Sequence, residues 1–224
     1  MIRLISIFLV SIIFFFPYSS YSEEYNIFLS FGGNYAIEDF DRDVVEDLDL
    51  NYNFDDAIGI NLKAGYQIVD YFSVGIDIDI LRGFEWDLSE GVPLTLENAA
   101  DPASILKGVV TASADMDFIV GLAFARLSLP GKFKPYISAG LGLIREDAEV
   151  KFSTSLQETS TDYSSFTESD FSTDKDFCGK LSIGFEFRPL DRYSVWTEGN
   201  YTAGFGDLDD IRYASFTVGG SIFF

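Results

Sequence analysis

The sequence predicts an all-β chain, an eight-stranded antiparallel transmembrane up-and-down β-barrel behind a cleavable signal peptide. Three observations carry that prediction. Eight stretches of about ten residues alternate side chains with period two, and a tilted strand of that length crosses a hydrocarbon layer. The connections between them alternate short and long, as they do in membrane barrels. The chain is 47% hydrophobic, yet its only long apolar run lies at the N-terminus. No later segment reads as a spanning helix.

The N-terminal run defines the first unit. Arg3 supplies a positive end, Leu4–Phe16 an apolar core, and Ser20-Tyr21-Ser22 small residues for cleavage before Glu23. Residues 1–22 are expected to be a signal peptide and residues 23–224 the barrel. A retained anchor would need a longer apolar core to span.

The strands follow in order. In Tyr25–Tyr35 the odd positions are apolar or aromatic and are read as lipid-facing, with Asn26, Phe28, Ser30, Gly32 and Asn34 inward. Ala36–Asp55 is an acidic loop. Ile58–Ile68 is the cleanest strand: Ile58, Ile60, Leu62, Ala64, Tyr66 and Ile68 point out, and Asn61, Lys63 and Gln67 point in. After the turn Val69–Tyr71, Phe72, Val74, Ile76, Ile78 and Ile80 point out, and Ser73, Gly75, Asp77 and Asp79 point in. Arg82–Ser113 reads as a long connection. In Ala114–Leu129 the bulkier row, Met116 to Phe124, is assigned to lipid, which places Asp117, Ile119, Gly121, Ala123 and Ala125 inside. Pro130–Lys132 turns the chain into Pro135–Leu143, with Tyr136, Ser138, Gly140 and Gly142 inward.

Arg145–Lys175 reads as the longest loop. Phe177–Phe187 then carries Cys178, Lys180, Ser182, Gly184 and Glu186 inward, and Tyr193–Ala203 carries Trp196, Glu198, Asn200 and Thr202 inward. The last strand, Ile211–Phe224, has Ala214, Phe216, Val218, Gly220, Ile222 and Phe224 on its apolar face. Its outer edge needs a partner, and the first strand supplies one by closing the barrel. Two aromatic girdles are expected. One holds Tyr66, Tyr71, Phe72, Phe133, Phe187, Tyr193 and Phe224; the other holds Tyr35, Phe84, Trp86, Phe177, Tyr201 and Phe205.

Charge and composition exclude several functions. A net charge of −21 argues against nucleic acid as a partner. There is no histidine, which removes Ser–His and Asp–His chemistry and any histidine-based metal site. The single cysteine, Cys178, allows no intrachain disulfide. The acidic stretch Glu38–Asp49 lacks a calcium-loop spacing, so a solvated, self-repelling surface is preferred over divalent-cation binding.

The lumen should hold Lys63, Asp77, Asp79, Asp117, Lys180, Glu186 and Glu198, with Arg126. Counting across the turns sets Lys63 opposite Asp77 and Lys180 near Asn200 and Glu198. Buried charges must be paired or solvated. A structural ion-pair core and a gated polar path are both open readings, and a narrow eight-stranded interior favours the first. Lys132, Lys134, Arg188 and Arg192 cluster at the short turns, where lipid phosphates lie. A soluble ligand-binding barrel would need the opposite sidedness.

The stretch Lys134-Pro135-Tyr136-Ile137-Ser138-Ala139-Gly140-Leu141-Gly142 resembles the Pro-Tyr…Gly-x-Gly strand of the outer-membrane β-barrel domain family. That family includes OmpA-type transmembrane domains and opacity-type, porin-like surface proteins. Phe224, with Ile222 and Phe216 on its face, resembles the terminal signal read by the barrel-assembly machinery. The resemblance implies a Gram-negative outer-membrane location, with outer-membrane lipid and lipopolysaccharide as neighbours. The loops Ala36–Asp55, Arg82–Ser113 and Arg145–Lys175 are expected to contact host, phage, other cells or lipopolysaccharide. The expected role is non-enzymatic, structural and surface-interacting, without cofactor or metal; the alternative is a small channel or carrier for ions or small solutes.

Overall fold

Residues 26–38, 55–87, 92–97, 105–157 and 163–224 are described by a computed structural model. The proposed signal segment and acidic residues Asp39–Asp49 lie outside them. Nine strands form one antiparallel sheet: β1 (Ile27–Glu38), β2 (Ala57–Val69), β3 (Phe72–Asp87), β4 (Val92–Glu97), β5 (Ile105–Ser128), β6 (Phe133–Gln157), β7 (Tyr163–Leu190), β8 (Tyr193–Gly204) and β9 (Arg212–Phe223). The ring runs β1-β2-β3-β5-β6-β7-β8-β9, and β9 pairs back onto β1. Reciprocal bonds close that seam: Ile27 N donates to Phe224 O at 3.2 Å, and Phe224 N donates to Ile27 O at 2.8 Å. Among the described residues β4 pairs with β5 alone and stands outside the ring of eight.

Sidedness follows the alternation on seven of the eight ring strands. Ile60, Ile76 and Ile78 are 39%, 56% and 36% exposed, whereas Lys63 and Asp77 are 4% and 3% exposed. Hydrocarbon can wet the first group without cost. The second group needs polar partners, which only the interior supplies.

β5 is the exception, and its predicted face is reversed. Met116, Phe118, Val120, Leu122 and Phe124 point inward and are buried. Asp117, Ile119, Gly121, Ala123 and Ala125 lie on the outside. Both rows are nearly free of charge, so hydropathy alone does not orient this strand. Arg126 decides it. A guanidinium facing lipid is costly, and Arg126 shares its face with Phe118 and Phe124, so the bulky row turns in with it.

A second correction concerns Phe84, expected in the outer girdle. Gly83 adopts a positive φ of 92° within an irregularity between Leu81 and Phe84. One extra residue there reverses the alternation. Leu81 and Phe84 therefore both enter the lumen, fully buried. Tyr35, Phe177, Tyr201 and Phe205 remain exposed as expected.

The long connections are also not plain loops. β5, β6 and β7 run for 24, 25 and 28 residues, about twice what a span needs. Pairing continues from Asp117↔Asp147 out to Lys107↔Gln157, and from Arg145↔Lys175 out to Gln157↔Tyr163. These Ser-, Thr- and Asp-rich stretches lack an apolar face because neither face meets lipid. Polar composition therefore read as loop, although Val, Phe and Thr favour strand there.

The interior has three levels. The long-hairpin end is an apolar plug of Leu81, Phe84, Met116, Phe118, Ile144 and Tyr213, joined by Leu208 and Ile211 from the β8–β9 connection. Phe118 sits edge-on to Phe84 at 5.3 Å and stacked on Tyr213 at 6.2 Å. A charged layer occupies the middle. At the short-turn end, Phe28, Phe124 and Phe223 pack together.

Candidate functional site

The middle layer is built by inward positions of seven strands, all of the ring except β5. Lys63 (β2) lies directly across from Asp77 (β3), as the count predicts. Its closest partner, however, is Glu198 on β8, at 2.6 Å, with Asp77 at 3.8 Å. Lys180 (β7) crosses the lumen to Asp77 at 2.9 Å and Asp79 at 2.6 Å. All five charged groups are buried.

Three carboxylates face two ammonium groups, and neutral donors complete the shell. Asn61 Nδ2 donates to Asp77 Oδ1 at 2.5 Å and to Asp79 Oδ1 at 2.7 Å. Asn34 Nδ2 donates to Asp79 Oδ1 at 3.1 Å. The Tyr136 hydroxyl donates to Glu198 Oε2 at 3.0 Å. Each of the six carboxylate oxygens thus has a donor or cation, which is the condition for keeping such groups out of water. Thr217 and Asn200 extend the layer to β9 and β8: Asn200 Nδ2 donates to Thr217 Oγ1 at 3.0 Å, and Thr217 Oγ1 to Asn34 Oδ1 at 3.2 Å. Gly184 makes room for Tyr136. A Cβ at Gly184 would lie 2.5 Å from Tyr136 Cζ, closer than side chains tolerate.

The expected residues divide accordingly. Lys63, Asp77, Asp79, Lys180 and Glu198 meet in one layer. Glu186 lies lower, with Arg126 Nη1 at 3.2 Å from its Oε2, and Arg126 also covers the Tyr136 ring at 4.2 Å. Asp117 does not belong to the lumen. It faces outward with a side chain 40% exposed and pairs with Arg82 at 3.4 Å, because β5 is turned over.

Lys180 does not meet Asn200 or Glu198. The β7–β8 turn is tighter than Arg188–Arg192, with Leu190 already paired to Tyr193; with a one-residue irregularity after Phe187 this sets Lys180 opposite Thr202, two residues from the counted position. Asn34, Asn61 and Thr217 were not singled out in the sequence, although their inward phase already marked them; Asn200 and Tyr136 were expected inside, but not as partners of Thr217 and Glu198. Phe216, Ile222 and Phe224 all face outward and are exposed.

The layer's charged groups pair with one another. Its cations already occupy the carboxylates. Among the described residues, no group of three or more Cys, Asp or Glu is arranged to hold a metal ion.

The β5 reversal makes a direct prediction. In a Cys178→Ser background, Asp117→Cys should react rapidly with a membrane-impermeant maleimide on intact cells. Met116→Cys, one residue away and 1% exposed in the parent, should stay unlabelled. The opposite pattern would restore the predicted face.

Residues 8–224 match the family described as outer membrane protein beta-barrel domain. No curated protein matches the sequence. Among solved structures, Neisserial surface protein A is similar at 13% identity and a TM-score of 0.51, covering 88% of this chain and 97% of that one. The attachment invasion locus protein Ail of Yersinia pestis gives 15% identity and a TM-score of 0.48, over 90% of this chain and 99% of that one. OprG of Pseudomonas aeruginosa gives 12% and 0.42, over 89% and 96%. The likeness to Neisserial surface protein A is one of fold alone. With its closed ring of eight strands, lipid-facing apolar belt and charged interior, the chain belongs to the outer membrane protein beta-barrel domain family and resides in the outer membrane.

Proposed function

We propose that this barrel anchors a surface-interaction platform and that its working part is the sheet formed by the outer ends of β4–β7. One observation carries the reading: β5, β6 and β7 are 24, 25 and 28 residues long, so roughly half of each projects beyond the membrane. With the short turns on the periplasmic side, that sheet stands on the cell surface. Over Tyr163–Phe177, β7 pairs with β6 on one edge, and pairing with β8 begins only at Cys178. An edge of this kind is a template for an added strand. Its exposed acids, including Asp170 and Asp174, favour a partner bearing positive charge. Host surfaces, phage proteins and neighbouring cells are the candidate partners. The absence of histidine supports a non-catalytic role.

Local chemistry keeps the projecting sheet in register. Arg145 Nη2 donates to Asp147 Oδ1 at 2.8 Å, and Thr173 Oγ1 donates to the same oxygen at 2.8 Å. The Arg145 bond, followed by the Thr173 bond, holds the Asp147 carboxyl below the usual carboxylate range. A depressed carboxylate contributes above its unfolded pKa. Its contribution fades as pH falls through the folded value.

Replacing Glu149–Ser172 with a tight turn tests the platform. The shortened barrel should retain its heat-modifiable gel mobility and lose cell or phage adhesion. Unchanged adhesion would remove the sheet from the account. Conduction is the competing role. Lys63→Ala should lower stability yet leave single-channel conductance close to the parent, because the plug above it stays shut. A large conductance rise would make the charged layer a gate.

A further inference from the structure

The periplasmic end of the barrel holds a feature that the surface role does not use. A small polar cleft opens there, lined in part by Ser73, Arg126, Ser128, Lys134, Glu186 and Phe223. Its floor is charged and unbalanced. Glu186 lies directly opposite Lys134 on the β6–β7 ladder and is 3.2 Å from Arg126. One carboxylate therefore faces two cations. Arg126 and Glu186 are each 6% exposed. Among the described residues, Arg126 Nε and Glu186 Oε1 have no hydrogen-bond partner, so the pair does not satisfy itself.

The surroundings add to the imbalance. The turn after β5 and the turn after β7 are neighbours, with Arg188 N donating to Lys132 O at 2.9 Å. Arg188 also lies over the Phe223 ring at 3.7 Å, at the cleft wall. Among the described residues, this end carries five bases (Arg126, Lys132, Lys134, Arg188 and Arg192) against three acids (Asp70, Glu186 and Asp191). The chain as a whole carries −21. A positive mouth on so acidic a protein is a local anion trap, and partial enclosure strengthens its field.

We propose that this cleft binds a phosphate group from the periplasmic side, either free or as the headgroup of an inner-leaflet lipid. Lys134 supplies an ammonium and Arg126 a guanidinium, while the Ser73 and Ser128 hydroxyls are the neutral donors. Glu186 competes with the ligand for both cations. The site is separate from the outer sheet, so its failure would leave the surface reading untouched.

The full-length protein in zwitterionic micelles tests this by titration with inorganic phosphate, read by phosphorus NMR line broadening. Saturable binding in the millimolar range is expected. Glu186→Gln should tighten it and Lys134→Gln weaken it, each by about tenfold. Heat-modifiable mobility confirms that each variant is folded. Transfer to bilayers containing phosphatidylglycerol then separates the sources: competition identifies the lipid headgroup, and unchanged phosphate binding identifies the free ion. Binding that ignores Lys134→Gln in a folded variant overturns the proposal. So does a lack of saturation in both the parent and Glu186→Gln.

Discussion

Lys180→Met is expected to cost the barrel about 3–5 kcal/mol of stability, the usual penalty for removing one partner of a buried ion pair. Lys180 is the group most responsible for the charged layer. Among the described cations it alone reaches both Asp77 and Asp79, at 2.9 and 2.6 Å. Without it, two buried carboxylates share only Asn61, Asn34 and a distant Lys63. Methionine keeps the bulk and removes the charge, so packing loss is small. Urea titration of the protein in bilayers, followed through Trp86 and Trp196 fluorescence, measures the loss. Adding Asp79→Asn to Lys180→Met should recover part of it, since one stranded charge disappears. Unchanged stability would mean that the layer is solvated, and the lumen would then have to be read as wet.

Phe118→Ala is expected to lose about 3–5 kcal/mol as well, by a different route. Phe118 is fully buried and touches both Phe84 and Tyr213 in the plug. Truncation leaves a cavity among rings that the closed sheet cannot easily collapse. Phe118→Leu should cost much less because most of the volume remains. Neither variant should raise single-channel conductance appreciably, since the charged layer lies beneath. High conductance from Phe118→Ala alone would show that the plug is the only barrier and that the layer below is open.

The two variants also separate what each level contributes. The plug is held by apolar burial, so its loss should not depend on pairing elsewhere. The charged layer is a network in which each truncation strands a neighbour. Its double variants should therefore be non-additive, whereas Phe118→Ala combined with Lys180→Met should come closer to additive.

Strand number, the closing pair and the contrast between short turns and long hairpins could all be read from the residues. So could the inward phase of Lys63, Asp77, Asp79, Lys180, Glu186 and Glu198. In each of those strands one face is charged or hydroxylated and the other is aliphatic, and a bilayer tolerates only one orientation of that contrast. β5 lacked the contrast: Phe118–Phe124 and Ile119–Ala125 are both apolar rows. The decisive residue was Arg126, just beyond them.

The sequence alone determined that this is a membrane barrel with an ionised interior, because alternation against hydrocarbon is a local property of each strand. Tertiary structure decided which charges meet, how far the hairpins project and what seals the outer mouth. Lys180 finds Asp77 and Asp79 across the ring, about a hundred residues away in sequence. That encounter depends on closure of the whole barrel and on the turn that sets Lys180 opposite Thr202. Such turns, and the irregularity at Gly83 that carries Phe84 inward, move a side chain by one or two places, and neither hydropathy nor charge spacing along the chain records them.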